Sequence, residues 1–370
     1  MKVEKIFPIT ILGATGYTGK LVAHELGRRQ VPFAIAGRSR EKLEALRDAL
    51  EAEIVGLEVV GVDDAARLRE VCGKSRVVIN CVGPFLDLGE GVVRAAIEGK
   101  CHYLDTTGEQ LFLKKIVEYH TAAEKGGVAV VNALAFEYAL GDMGAAICAE
   151  GVNPISTIEV HYALTGMHTS RGTKRSAIRI FQNETFEFEE GRWVPVEPGK
   201  RQGTFPFPPP FGPVTGVNFP GGEIITLPRH TPARNVRVFM GAPEIKGKTF
   251  QIFSPTIFRM ARSRIADVAK AFIDRGPEGP TPEERKGDHF QIGILVEGEA
   301  QGTPVTKRLV VEGSDPYGIT AVITAEGGVR MSGPDFHARG VLPPAAAFPP
   351  RAFPAPLRPL GITWRFLDES

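Results

Sequence analysis

The chain has 370 residues, 43% of them hydrophobic, and Lys+Arg 44 against Asp+Glu 43 leaves a net charge of +1. That length suits two domains and that composition a large core, which excludes a disordered chain, while the balanced charge gives no global basic excess for a nucleic-acid partner. Cys72, Cys81, Cys101 and Cys148 form no CxxC pair, so neither a metal site nor a disulfide framework is expected. No run of about 18 apolar residues offers an integral membrane segment. MKVEKIF enters the first apolar run too early for a signal peptide, so a soluble, cytoplasmic chain is the expectation.

In chain order, strands are predicted at Phe7–Leu12, Phe33–Ala36, Leu57–Val62, Val77–Val82, His102–Asp105 and Val128–Asn132. Amphipathic stretches such as Gly19–Arg29, Arg40–Leu50 and Gly89–Glu98 lie between them. Parallel strands need crossover connections, so this alternation predicts an α/β Rossmann fold with a doubly wound parallel sheet. After Asn132 the rhythm changes to an α+β block. Thr157–Leu164 alternates as a strand, Ser170–Phe181 reads as a helix, and Thr185–Glu189 with Trp193–Glu197 flank a hairpin turn. The stretch FPFPPPFGPVTGVNFPGG (Phe205–Gly222) reads as an irregular connection, a lid or an oligomer arm, because proline lacks a donor. Residues 254–274 read as an amphipathic helix packed on the second domain, with a membrane-surface contact as the other reading. Gln291–Gly298 and Val305–Glu312 form a second hairpin, and the proline-rich tail from Leu342 to Pro359 reads as a docking strap.

GATGYTG (13–19) follows the first strand and opens a helix. Gly13 permits the tight turn, Gly16 lets the backbone approach a pyrophosphate, and Gly19 lets helix and strand pack closely. The amides and dipole of the helix start then favour phosphate. The second strand ends in AIAGRSREK (34–42) with no acid for a ribose 2′-hydroxyl. Arg38 stands there instead, and a guanidinium suits the 2′-phosphate of NADP, so NADP is expected and NAD is less favoured. Ser39 sits beside Arg38 and also reads as the N-cap of the next helix, with Arg40 and Lys42 on its solvated face. Ligands lie outside the carboxyl ends of strands, which brings Asn80, Cys81, Gly83 and Pro84 after strand four, and Thr107, Gly108 and Glu109 after strand five, to the cofactor edge. Cys81 reads as a small buried residue rather than a reactive thiol. None of Tyr17, Tyr103, Tyr119, Tyr138, Tyr162 and Tyr317 has Lys four residues on, which argues against the short-chain dehydrogenases.

The motifs GATGYTGKLVAHEL, AGRSREKLEAL, VVINCVGPF and GKCHYLDTTGE together resemble the saccharopine dehydrogenase-like oxidoreductases, to which the trans-acting enoyl reductases are similar. The resemblance is dense over residues 5–145 and continues through TSRGTKRSAI, DPYGITAVITAEG and GVLPPAAAF. It implies a Rossmann domain over 1–135, an α+β substrate and dimerisation domain over 136–315, and a C-terminal segment, 316–370, packing back on the first. It also implies NAD(P)-linked hydride transfer to a small-molecule substrate, and a homodimer is expected. Carried over by position, Gly13, Thr15, Gly16, Tyr17, Thr18 and Gly19 hold the pyrophosphate, Arg38 the adenosine phosphate, and Asn80, Val82, Gly83 and Pro84 border the nicotinamide ribose. Enoyl-reductase-like members often carry Gly-Phe-Asp and Pro-Ser-Asp after strand six; here AFEYALGD places Glu137 and Asp142 there.

Hydride transfer often needs a proton relay. Glu137 reads either as that acid or base, or as a helix-entry carboxylate. Thr107 and Glu109 are further substrate candidates. His168, Ser170 and Thr173 lie at a helix start that binds a substrate anion or is plainly capped. His102 and His161 read as structural. Two functions follow: an NADP-dependent reductase of a C=N, C=O or activated C=C bond in a small or lipid-like substrate, or a catalytically silent NADP-binding sensor or scaffold.

Overall fold

The computed structural model describes residues 5–166, 168–244 and 265–367. The chain divides into two compact units, the first from Met1–Thr107, Phe112–Ala135 and Tyr317–Ala347, the second from Gly108–Leu111, Phe136–Pro316 and Phe348–Ser370.

In the first unit, β1 (Phe7–Leu12), β2 (Phe33–Gly37), β3 (Ile54–Val59), β4 (Ser75–Asn80), β5 (His102–Asp105) and β6 (Ala129–Val131) pair in the order β6-β5-β4-β1-β2-β3. Strand Gly340–Leu342 adds a seventh member beside β6, and every pairing is parallel. All five residues of β2 are buried, as a strand covered on both faces requires. The connections are helical: α1 (Tyr17–Arg28), α2 (Arg40–Ala49), α3 (Ala65–Lys74), α4 (Phe85–Glu98), α5 (Gln110–Ile116) and α6 (His120–Gly126). Local chemistry sets their starts. Ser39 accepts from the Lys42 amide and Asp64 from the Arg67 amide. β3 and β4 end earlier than their apolar runs suggest, because Val60, Val62 and Val82 continue beyond the strands to pack into the core.

The helix Pro316–Ser332 carries much of the chain's return to this unit. The Thr324 hydroxyl donates to the Leu134 carbonyl at 3.0 Å, and Arg29 pairs with Glu326 at 2.7 Å. A Cβ on Gly328 would lie 2.9 Å from Ile79 Cδ1, so glycine lets this helix approach the sheet closely. Residues 317–347 therefore belong to the first unit, while 348–370 belong to the second.

The second unit is built on β7 (Ile155–Thr165), β8 (Phe186–Glu189), β9 (Arg192–Pro195), β10 (Gln202–Pro206), β11 (Pro213–Asn218), β12 (Ala233–Gly241), β13 (His289–Ala300) and β14 (Thr303–Ser314). The sheet runs β10-β11-β12-β7-β13-β14 and ends on Thr363–Phe366, with β8 also pairing β12 and β9 pairing β8. Of these pairings β7 with β12 is parallel and the others antiparallel. Helix α7 (Phe136–Cys148) packs against β13 and β14; α8 (Arg171–Gln182) and the short α9 (Glu223–Thr226) follow in the chain.

The proline-rich stretch differs from its reading as an irregular connection. Its ends form β10 and β11, a hairpin at the sheet edge, with Pro206 opposite Pro213. Both prolines stand at strand ends, where a missing donor costs no central ladder bond. Phe205, Phe207 and Val214 anchor the hairpin in a local core. Of residues 254–274, the part from 265 lies in the helix Ile265–Arg275 and the rest falls outside the described residues. Among the described residues no helix is long and apolar enough to cross a membrane.

Candidate functional site

The glycine loop leaves β1 in a turn sealed by backbone bonds. The Gly13 and Ala14 amides donate to the Ala36 carbonyl at 2.9 and 3.2 Å, and the Gly16 amide donates to the Gly13 carbonyl at 3.0 Å. Gly13 has φ +80°, a left-handed conformation that favours glycine, and a Cβ there would meet Val82 Cγ2 at 2.7 Å. A Cβ on Gly19 would overlap the Gly13 carbonyl oxygen and lie 2.9 Å from Ala14 Cα. The first turn of α1 carries no side-chain cap and no acid, so neither competes with an anion there. Thr15, Gly16, Tyr17 and Thr18 are partly exposed around this turn, and the Tyr17 ring meets Tyr317 edge-on at 5.2 Å. Arg38 is exposed at the end of β2, and Ser39 serves as a helix cap. These features fit a dinucleotide phosphate carrying a 2′-phosphate.

At the carboxyl edge of β4, β5 and β6 a buried polar network fixes the loops. Asp105 Oδ1 accepts the Thr107 and Ala133 amides at 3.1 and 3.0 Å, and Oδ2 accepts the Tyr103 hydroxyl at 2.8 Å and Asn132 Nδ2 at 2.7 Å. Tyr103 Oη in turn accepts Asn80 Nδ2 at 3.1 Å, and Asn80 Oδ1 accepts the Val82 amide at 3.0 Å. The side chain of Asn80 thus shapes the loop Cys81–Pro84 from below, and all four residues of that loop are partly exposed. Burial pushes Asp105 up to about 6, against four hydrogen bonds that pull it down. Desolvation, with Asp105 beside it, pushes the Cys81 thiol up to about 12, which disfavours the thiolate. His102 is also structural: Nδ1 accepts the Ala129 amide, the ring meets Phe336, and burial holds it down at about 4.

Thr107 is fully buried at the end of the first unit's β5 loop. The remaining candidates belong to the second unit. Glu109 is buried and accepts the Ser176 hydroxyl at 2.8 Å, which ties it to α8. Ser170 caps α8 by accepting the Thr173 amide at 3.1 Å, and the Arg171 amide donates to the Glu278 carbonyl at 2.9 Å. Two of the amides that this helix start would offer an anion are therefore taken. His168 is exposed and bound to Asp288 at 2.7 Å; Asp288 raises its pKa. His161 lies between Phe205 and Phe239 with Nε2 on Glu159, a packed position.

Glu137 stands apart from these. It lies in the first turn of α7, and around it Tyr138 and Asp142 of the same helix gather with Tyr162, Glu223 and, bonded to Asp142, His230, which are far away in sequence. Glu137 as a residue retains some exposure, yet the protein around its carboxyl is dense enough that burial pushes it up to about 7. Burial likewise pushes Glu223 up to about 8, against the Tyr162 hydrogen bond that lowers it. Asp142, fully buried, holds His230 Nε2 at 2.9 Å. Burial disfavours the His230 cation, but Asp142 outweighs it and raises the pKa. Tyr162, Glu223 and His230 were missed in the sequence. The one local signal is a carboxylate leading an otherwise uncharged and mostly apolar turn, EIITL, all five of whose residues are buried.

A parallel sheet ordered around β1 and β4 and a glycine cradle at an uncapped helix start define a Rossmann-type dinucleotide-binding protein. More particularly, residues 9–131 match the family described as saccharopine dehydrogenase NADP binding domain. A saccharopine dehydrogenase-like oxidoreductase of Homo sapiens is 32% identical over 205 residues, which is 49% of this chain and 48% of that protein. A trans-acting enoyl reductase of Mycobacterium ulcerans is 32% identical over 145 residues, 38% of this chain and 35% of its own. The chain spans about half the length of the first of these relatives and less of the second. The structure of saccharopine dehydrogenase (L-Glu forming) from Saccharomyces cerevisiae superposes with a TM-score of 0.65 at 14% identity, covering 97% of this chain and 99% of that one. That likeness establishes the fold across both units.

Proposed function

We propose that the chain is an NADP-dependent oxidoreductase that reduces a C=N, C=O or activated C=C bond, with Glu137 as its acid–base group. The observation that carries this reading is Glu137, a partly exposed residue whose carboxyl is pushed by burial up to about 7, in a chain that also builds a phosphate cradle. A general acid works best when its pKa lies near the working pH. Gly13, Thr15, Gly16, Tyr17, Thr18 and Gly19 would hold the pyrophosphate, Arg38 the 2′-phosphate, and Val82, Gly83 and Pro84 the ribose on the nicotinamide side. The bound cofactor supplies the hydride. Glu137 gives a proton to the atom that becomes more basic as the bond is reduced. Asn80 and Asp105 act through the backbone, holding the loops Cys81–Pro84 and Thr106–Thr107 in place.

The test is NADPH consumption with a panel of imines, ketones and enoyl thioesters. Turnover that falls about 10²- to 10⁴-fold in E137Q, with NADPH binding retained, supports the reading. Stoichiometric NADPH binding without turnover on the panel would favour a silent sensor instead.

A further inference from the structure

Glu137, Asp142 and Glu223 crowd one region of the second unit, and neighbouring carboxyls in a low dielectric do not all ionise together. Proton counting decides which is neutral. The Tyr162 hydroxyl has a single proton, and two acceptor oxygens stand within hydrogen-bond distance of it: the Glu137 backbone carbonyl at 2.5 Å and Glu223 Oε1. With Glu223 ionised, one proton would have to serve both oxygens. With a proton on Glu223 Oε1, the carboxyl donates to Tyr162 Oη and Tyr162 donates to the Glu137 carbonyl, so that each contact has its own proton.

Two further observations agree. Glu223 Oε2 is enclosed and has no hydrogen-bond partner among the described residues, a condition far costlier for a carboxylate than for the carbonyl oxygen of a neutral acid. Gly141, inside α7, is the position at which a Cβ would overlap Glu223 Oε1 and lie 2.6 Å from the Tyr162 hydroxyl. Glycine is unfavourable in a helix interior, and here it makes room for the pair. The other charged groups have separate assignments. Asp142 on α7 is paired with His230 and lies near Arg229, and Glu109 lies near Tyr138.

We propose that Glu223 is a neutral carboxylic acid in the folded protein, and that the Tyr162–Glu223 pair positions Glu137 by gripping the carbonyl of its helix turn. The pair keeps a second negative charge away, leaving Glu137 as the carboxyl that exchanges a proton. Burial as the main influence on Glu223 agrees with this assignment. The positioning role rests on the reading of Glu137 as the acid–base group; the proton on Glu223 stands without it.

Infrared difference spectra test the assignment without turnover. Wild type minus E223Q at pH 7 should show the carbonyl stretch of a protonated carboxyl, fading as pH rises through about 8. E223Q should leave the ionisation midpoint of Glu137, read from E137Q differences, unchanged, because one neutral donor replaces another. Y162F should keep the Glu223 band but shift its frequency. An absent Glu223 band at pH 7, a Glu137 midpoint lowered by about one unit in E223Q, or an unshifted band in Y162F would each overturn the proposal. Were E223Q not to fold, the band followed in E137Q decides: present at pH 7 it supports the assignment, absent it refutes it. A protein with the Glu223 band but no NADPH oxidation would count against the enzymatic reading alone.

Discussion

Replacing Asp105 by Asn tests how the carboxyl edge of the first sheet is held. Asp105 is fully buried, and its two oxygens accept four donors. Burial still pushes its pKa from 3.8 up to about 6. That raised value means its contribution to stability is fully present below about 3.8 and is lost as pH rises through about 6. The shift of roughly two units corresponds to about 3 kcal/mol at most. D105N keeps an oxygen for the Thr107 and Ala133 amides but turns a donor toward Asn132 Nδ2, at a cost of about 1–3 kcal/mol. Near pH 4 the variant should therefore be less stable by about that amount. Between pH 4 and 7 the wild type loses up to about 3 kcal/mol that the variant does not, so the difference should shrink toward zero. Urea unfolding of both proteins at unit pH steps measures it, and acids common to both cancel. A difference that stays constant or widens as pH rises would refute the reasoning.

The other predictions concern the cofactor and the acid. G19A should weaken NADPH binding about ten- to 100-fold, because the added methyl overlaps the Gly13 carbonyl and overpacking of this kind costs about 1–3 kcal/mol; an NADPH-induced rise in Tm equal to that of wild type would contradict it. R38A should lose about 1.5–3 kcal/mol of NADPH affinity and leave NADH affinity unchanged, as read by titration calorimetry. Equal losses for both cofactors would show that Arg38 does not read the 2′-phosphate. If Glu137 donates the proton, kcat should be level below pH about 7 and fall above it as the carboxyl ionises. A fall on the acid side would make Glu137 the base instead.

The cradle was legible in the sequence because its parts are local. Gly13, Gly16 and Gly19 lie within one turn, and the order strand, turn, helix is written in consecutive residues. Arg38 could be singled out for a similar reason, since that reading depends only on where β2 ends, and the residue is exposed there. Other elements were misread where packing overrides composition. The prolines at 206 and 213 suggested irregular chain, yet an edge hairpin tolerates both at its strand ends. At the start of α8, Ser170 and His168 allowed either an anion site or a plain cap; Ser170 accepts the Thr173 amide, and His168 is bound to Asp288, far away in sequence.

The acid cluster shows why chemistry was harder to read than fold. Glu137 and Asp142 come from α7, Tyr162 from β7, Glu223 from α9 and His230 from the turn after it, and no short spacing links them. Each is an ordinary residue until folding removes water from around it. Desolvation then separates three similar carboxyls: Asp142 beside a histidine, Glu223 against a tyrosine, and Glu137, partly exposed and with no side-chain hydrogen bond among the described residues. A sequence can place a carboxylate at a helix start, but the difference between a structural acid and a working one lies in which neighbour shares its proton. Here Gly141 marks that difference within the sequence itself, because a larger residue in the middle of α7 would push Tyr162 and Glu223 off the turn that carries Glu137.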